Sequence, residues 1–423
     1  MKNLTSLLDR HVVPPLTALS ENTYLSAIRA GMVSIVPLTI IGGMFMVAAF
    51  LPVSGWDTLV APYLQLLQVP VTATFGLLAV FVCFAIAYDC GKRLKQEAIV
   101  SASMATMVFL MIQLELDDQS LSMEGLGSSG LFTAILVALV SVRAQKYFTD
   151  RNWVIKLPTS VPPIVYETFL SLLPMAFLVA VFWLIRFVIG LDINHLLQSA
   201  FSPLVFALNT LPGILVYAFL VTLLWSVGIN GDNTLDAIVA PFFLQYLAAN
   251  VEAASQGQPL PYVTALGFFT SFVNVGGTGA TIALALVMLN SREPGYRKIS
   301  RVSLPTQIFG INEPIFFGFP IVLNPIFMIP YVLNALLLTT GSFLLMSWGV
   351  IQKPFVGVPW TTPPIIGHYL VTGGDWKAAV WGVVSILMAM AVYYPFARAA
   401  ERQRLQAEAG GGPARGGGSG GPK

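Results

Sequence analysis

Charge is what this sequence lacks most. Asp, Glu, Lys and Arg make up 10 % of its 423 residues, against about 25 % in a soluble domain. Hydrophobic residues make up 56 %, and the mean hydropathy is +0.76, so the chain reads as an integral membrane protein. Only two cysteines are present, Cys83 and Cys90. They lie near the inner end of one apolar segment, without the spacing of a metal site, and are read as free thiols. The three histidines are scattered. His11 and His195 have no polar company and are read as structural, while His368 follows a Trp-containing loop and is a weak candidate for lining a site. Nothing points to a metal, a cofactor, a Ser-His-Asp arrangement or a nucleic-acid partner. The opening MKNLTSLLDRHVVPPL has no apolar signal-peptide core. The first long apolar run, from near Gly31, is therefore expected to insert without cleavage.

What is abundant is apolar length. A hydrocarbon core of about 30 Å needs roughly 20 helical residues. Runs of that kind occupy 31–52, 71–88, 97–114, 130–148, 166–189, 206–228, 234–250, 262–290, 321–348 and 376–397. The fold class expected is an all-α polytopic membrane protein of about ten transmembrane helices, of which 206–228 and 234–250 are the weakest. Residues 1–29 form an amphipathic lead-in broken by Pro14 and Pro15, and 302–320 and 351–375 look re-entrant. Of the 22 Lys and Arg, 19 fall in five segments: 2–29, 92–95, 143–156, 292–301 and the tail after 397. The loops 53–70, 115–129 and 251–261 carry none, but hold Asp57, Asp117, Asp118 and Glu124. Positive charge marks the cytoplasmic side, so both termini are expected to be cytoplasmic. The tail AEAGGGPARGGGSGGPK is a flexible Gly-rich segment.

Four stretches depart from this apolar background. Residues 303–330, SLPTQIFGINEPIFFGFPIVLNPIFMIP, hold one carboxylate, Glu313, between Asn312 and Pro314. Prolines at 305, 314, 320 and 325 are expected to break any helix there, and a broken backbone at membrane depth needs protein or a water-filled cavity around it. An ionisable residue in that setting marks a functional site, unless it is a structural carboxylate paired to a cation or protonated. The second stretch, LLWSVGINGDNTLDA (223–237), brings Asn230, Asp232, Asn233 and Asp236 beside an apolar run. These are either site residues, the reading favoured for Asn230, or helix N-caps in a loop, an even alternative for the other three.

The third stretch is FVNVGGTGATIALA (272–285), which includes Gly277 and Thr278. It lacks the GK[ST] and preceding strand of a phosphate loop, so its small residues either permit close helix packing or expose backbone groups to a ligand. The fourth, VPWTTPP (358–364), carries Trp360. Trp360 is either an interfacial anchor or a stacking platform for a sugar ring, and Trp225 presents the same choice.

Taken in order, RNWVIKLPTSVPPIV (151–165), LLWSVGING (223–231), GGTGATIALAL (276–286), FGINEPIFFGFPIVLNPIFMIPY (309–331) and PWTTPP (359–364) resemble one family. It is the membrane-spanning component IIC of the bacterial phosphoenolpyruvate-dependent sugar phosphotransferase system, lactose/cellobiose/diacetylchitobiose branch. The resemblance runs from about residue 5 to 400. It implies a homodimer in the bacterial cytoplasmic membrane, each subunit having a scaffold and dimerisation part (1–190), a transport part (191–400) and the tail (401–423). It further implies that a disaccharide binds near mid-membrane and is carried inward. A separate phosphocysteine subunit IIB, charged through IIA, then phosphorylates the sugar at its 6-hydroxyl; the chain is not an enzyme on its own.

By the same resemblance Glu313 is the sugar-binding acid that meets that hydroxyl, with Trp225 and Trp360 near the sugar. The substrate-binding set expected is Glu313, Asn312, Asn230, Trp225, Trp360, Gly277, Thr278 and Asp232. One departure stands out: family members read Gly-Ile-His-Gly where this chain reads Gly228-Ile229-Asn230-Gly231. Asn230 can bond a hydroxyl but cannot change charge near neutral pH. The rival reading is a proton-coupled secondary transporter, which also uses discontinuous helices and a midplane carboxylate. A membrane-embedded enzyme lacks a nucleophile–base pair or metal set.

Overall fold

The computed structural model describes residues 21–50, 55–116, 120–155, 169–319 and 321–410. Within them the chain is helical, with one isolated bridge, Leu114 to Leu121, and no sheet. The first half comprises α1 (Thr23–Ser34), α2 (Val36–Ala49), α3 (Trp56–Val60), α4 (Leu64–Val71), α5 (Leu78–Arg93), α6 (Ala98–Ile112), α7 (Met123–Leu126), α8 (Leu131–Asp150) and α9 (Leu172–Trp183). The second comprises α10 (Ile193–Leu208), α11 (Leu211–Ser226), α12 (Gly231–Ser255), α13 (Thr281–Met288), α14 (Pro294–Gln307), α15 (Glu313–Gly318), α16 (Pro325–Ser347), α17 (Ile366–Val371) and α18 (Trp376–Gly410).

Among the described residues, seven helical stretches are long and apolar enough to cross a membrane: Thr23–Ala49, Thr58–Arg93, Leu131–Asp150, Gly231–Ser255, Phe268–Met288, Pro325–Ser347 and Trp376–Gln406. An eighth results if Leu172–Val188 and Ile193–Leu208, bent by 85°, form one span. Two apolar helices, Ala98–Ile112 and Leu211–Ser226, are shorter. Every apolar run read from the sequence overlaps one of these ten stretches. The weak run at 234–250 turns out to be the inner part of a 25-residue helix.

Helix packing falls into two groups. α1, α5, α6 and α8 pack together in the first half, where Cys83 and Cys90 are buried on α5 as free thiols. α11, α13, α16 and α18 pack in the second, and α12 reaches across to α1, α2 and α8. A backbone-to-backbone approach links the groups as well. A Cβ added to Gly43 on α2 would lie 2.9 Å from the Gly357 nitrogen, and one added to Gly357 would lie 2.7 Å from the Thr39 carbonyl oxygen. Glycine at both positions lets the irregular segment before α17 lie directly against α2.

Two local expectations are corrected. Pro305 does not break its helix: it lies inside α14, where it forfeits one i→i−4 bond, and only two helical residues follow it. Pro314 and Pro325 sit in the first turns of α15 and α16, where a missing N–H has no intrahelical partner to lose; Pro320 lies outside the described residues. The capping role that is an even alternative for Asp232, Asn233 and Asp236 falls instead to Asn230, for which the sequence favours a site role and whose Oδ1 accepts from the Asn233 N–H at 2.9 Å. α12 thus begins at Gly231 and carries the three polar residues in its first two turns. Several expectations also lie outside the described residues: the lead-in before 21, most of 151–165, Asp117, Asp118, the Asp57 side chain and the tail after 410.

Candidate functional site

A cavity of about 500 Å³ opens where the start of α12, segment 264–278 and the turn before α15 converge, with α1 and α2 forming a further wall. That volume lies within the usual 300–1,000 Å³ range of small-molecule sites. All eight residues singled out in the sequence line it: Trp225, Asn230, Asp232, Gly277, Thr278, Asn312, Glu313 and Trp360. They come from four separate stretches, and the fold brings them to one place.

Asp232 is the hub. Its Oδ2 accepts from Trp225 Nε1 at 2.8 Å and from Thr278 Oγ1 at 2.6 Å, and its Oδ1 accepts from Asn274 Nδ2 at 3.2 Å. Both carboxylate oxygens are therefore engaged by protein, and they tie α11, α12 and the Gly-rich loop together. Trp225 is 6 % exposed and packs its ring edge against Phe316, centroids 5.0 Å apart. That places it in the protein interior, not at a membrane interface.

The loop itself requires glycine. Gly276, Gly277 and Gly279 have φ of 67°, 109° and 71°, a region that side chains disfavour. A Cβ at Gly277 would lie 2.4 Å from Asn312 Cβ, and one at Gly279 would lie 2.3 Å from the Tyr331 ring. This close approach lets Asn312 Nδ2 donate to the Thr278 carbonyl at 3.3 Å, which anchors the turn that presents Glu313. Gly310, at φ 77°, brings the same turn against Trp360: a Cβ there would lie 3.3 Å from the Trp360 carbonyl oxygen.

Glu313, expected from its apolar context to be buried, is instead exposed where it lines the cavity. Among the described residues its side chain has no hydrogen-bond or ion-pair partner, so a structural pairing to any described cation is excluded. Trp360 is 59 % exposed and lines the same space. His368 does not line it. Its ring is buried against Phe272, centroids 4.6 Å apart, and against Gly382, and its Nδ1 accepts from the Ile365 N–H at 3.3 Å.

Tyr217, an aromatic inside an apolar run, had no signal in the sequence, while Asn274 lies in the stretch 272–285 but was not picked out of it. Asp236, as readily a cap as a site residue in the sequence, lines the cavity one turn after Asp232 and accepts from the Tyr217 hydroxyl at 3.2 Å. The wall from α1 and α2 consists of Met32, Val33, Ile35, Val36 and Thr39, and the Thr39 hydroxyl donates to the Val36 carbonyl within its own helix. Hydrogen-bonding groups free to meet a ligand therefore come from the second half of the chain.

Comparison with known proteins agrees with this arrangement. The family described as "Phosphotransferase system, EIIC" matches residues 29–335. The cellobiose-specific EIIC component of Geobacillus stearothermophilus is 33 % identical over 96 % of this chain and 96 % of its own length. The lichenan permease IIC component of Bacillus subtilis (strain 168) is 32 % identical over the same shares. Among solved structures, the crystal structure of the transporter ChbC, the IIC component from the N,N'-diacetylchitobiose-specific phosphotransferase system, superposes with a TM-score of 0.89 at 30 % identity. That superposition covers 96 % of this chain and 99 % of that one. An all-helical membrane fold, a cavity gathering the Asn312–Glu313 turn, the Gly-rich loop and two tryptophans, and similarity over nearly the whole length lead to one conclusion: the chain belongs to the EIIC family, the sugar-transporting membrane component of the phosphotransferase system.

Proposed function

We propose that this EIIC protein binds a disaccharide, a β-linked glycoside of the cellobiose, chitobiose or lactose kind, in the 500 Å³ cavity and carries it inward across the bacterial cytoplasmic membrane. The observation that carries the reading is the unpartnered Glu313 carboxylate facing a space that also holds Asn230, Asn312 and the exposed ring of Trp360. An ionised carboxylate is an acceptor only and suits sugar hydroxyls, while an indole face suits the apolar C–H face of a pyranose. With its polar groups on the second half and an apolar wall from α1 and α2, the ligand is held by the part proposed to move (191–400). It slides past the proposed scaffold (1–190), which would also form the homodimer, each subunit having ten spans and both termini inside.

Phosphorylation comes from a partner in this reading. Neither cysteine reaches the cavity, since both are buried on α5, and the described lining residues include no histidine or cysteine to carry a phosphoryl group. Glu313 orients the 6-hydroxyl and takes its proton as the oxygen attacks phosphorus and the S–P bond of the phosphocysteine IIB subunit breaks. Asn230, its Oδ1 already capping α12, offers the ligand its free amide donor.

Membrane vesicles containing the protein test this. Sugar 6-phosphate should form only when IIB, IIA and phosphoenolpyruvate are supplied on the cytoplasmic side. Accumulation of unmodified sugar driven by a pH gradient alone would establish the proton-coupled rival.

A further inference from the structure

Along α12, residues 232, 236, 240, 243 and 244 all face the cavity, the i, i+4 spacing of one helix face. One turn, about 5.4 Å, separates Asp232 from Asp236, comparable to the step between linked pyranose rings. The two carboxylates differ in what they have left to offer. Both oxygens of Asp232 are engaged by Trp225, Thr278 and Asn274, so it positions those residues. Asp236 is half-buried, its Oδ1 accepts from Tyr217, and its Oδ2 has no protein partner among the described residues.

Tyr217 is 5 % exposed and wedged edge-on between Phe243 and Phe269, with centroids 5.4 and 4.8 Å away, so it fixes the carboxylate's orientation. Among the described residues no Lys, Arg or His lines the cavity. Arg29 of α1, the basic residue tied to this end of α12, donates to the Asn233 carbonyl at 2.8 Å.

We infer that Asp236, oriented by Tyr217, determines specificity for the second ring of the disaccharide, one helical turn beyond the ring that meets Glu313; this rests on the permease reading above. A carboxylate oxygen in these aromatic surroundings takes a hydroxyl or ammonium donor and rejects an anionic or O-alkylated substituent. A site built to bond a polar group discriminates strongly against an analogue that lacks it.

The test compares two ligands on the purified full-length protein: cellobiose, and phenyl β-glucoside, whose second ring has no hydroxyl. Asp236→Ala should lower cellobiose affinity about tenfold, the loss of one hydrogen bond, and leave phenyl β-glucoside almost unchanged. Asp236→Asn, nearly isosteric, should recover part of the loss and carries the test should the alanine variant fail to fold. Unchanged cellobiose affinity in both variants overturns the inference, and so does an equal loss for both ligands, which would mark Asp236 as a structural residue. A wild-type protein that binds neither of these ligands, nor chitobiose or lactose, defeats the permease reading itself.

Discussion

At Gly277 one missing side chain decides the geometry of the site. Its φ of 109° belongs to glycine, and any Cβ would collide with Asn312 at 2.4 Å. Strain of this kind costs on the order of 1–3 kcal/mol, and displacing Asn312 would also shift the turn that carries Glu313. Gly257, at φ 67° with nothing within 4 Å of where a Cβ would stand, is the matched control. Gly277→Ala should lower the melting temperature of the purified protein markedly more than Gly257→Ala and weaken sugar binding, while Gly257→Ala leaves binding unchanged. Equal effects of the two substitutions would mean that the Gly-rich loop does not set the position of Asn312. At this scale the sequence is informative where chemistry is incongruous, as with a carboxylate among prolines or polar residues beside a glycine. It is silent on Tyr217, because a tyrosine in an apolar run looks like any other core aromatic until its hydroxyl finds Asp236.

Elements are legible through hydrophobic length, and less so through proline and caps. Each apolar run overlaps a helical stretch, because twenty-odd apolar residues have few alternatives to a helix in a membrane. The errors come from position within the element. Pro305 lies within α14, which runs on for two residues beyond it despite the lost i→i−4 bond. The cap of α12 is Asn230, not one of the acidic residues that follow, so α12 starts early enough to aim Asp232 and Asp236 into the same cavity. A small difference in where a helix begins thus decides between cap and lining residue for both. Helix boundaries are the features that sequence patterns fix least.

For the whole molecule, charge distribution and the division of the cavity walls make linked statements. The basic loops place Lys95 on the cytoplasmic side and Gly257 on the opposite side in the proposed topology. Because Cys83 and Cys90 are fully buried, an impermeant maleimide should leave the native chain unlabelled in intact cells, label Gly257→Cys, and reach Lys95→Cys only in inverted vesicles. The reverse pattern would invert the orientation.

The central claim is that the partner-free Glu313 carboxylate holds the sugar. Radiolabelled cellobiose binding to the purified protein, wild type beside Glu313→Gln, tests it most directly, since the substitution keeps the shape and removes the charge. Losing hydrogen bonds to a charged acceptor costs about 1.5–3 kcal/mol, so affinity should fall roughly ten- to a hundredfold. Equal binding by the two proteins would contradict the account and move Glu313 out of the sugar site.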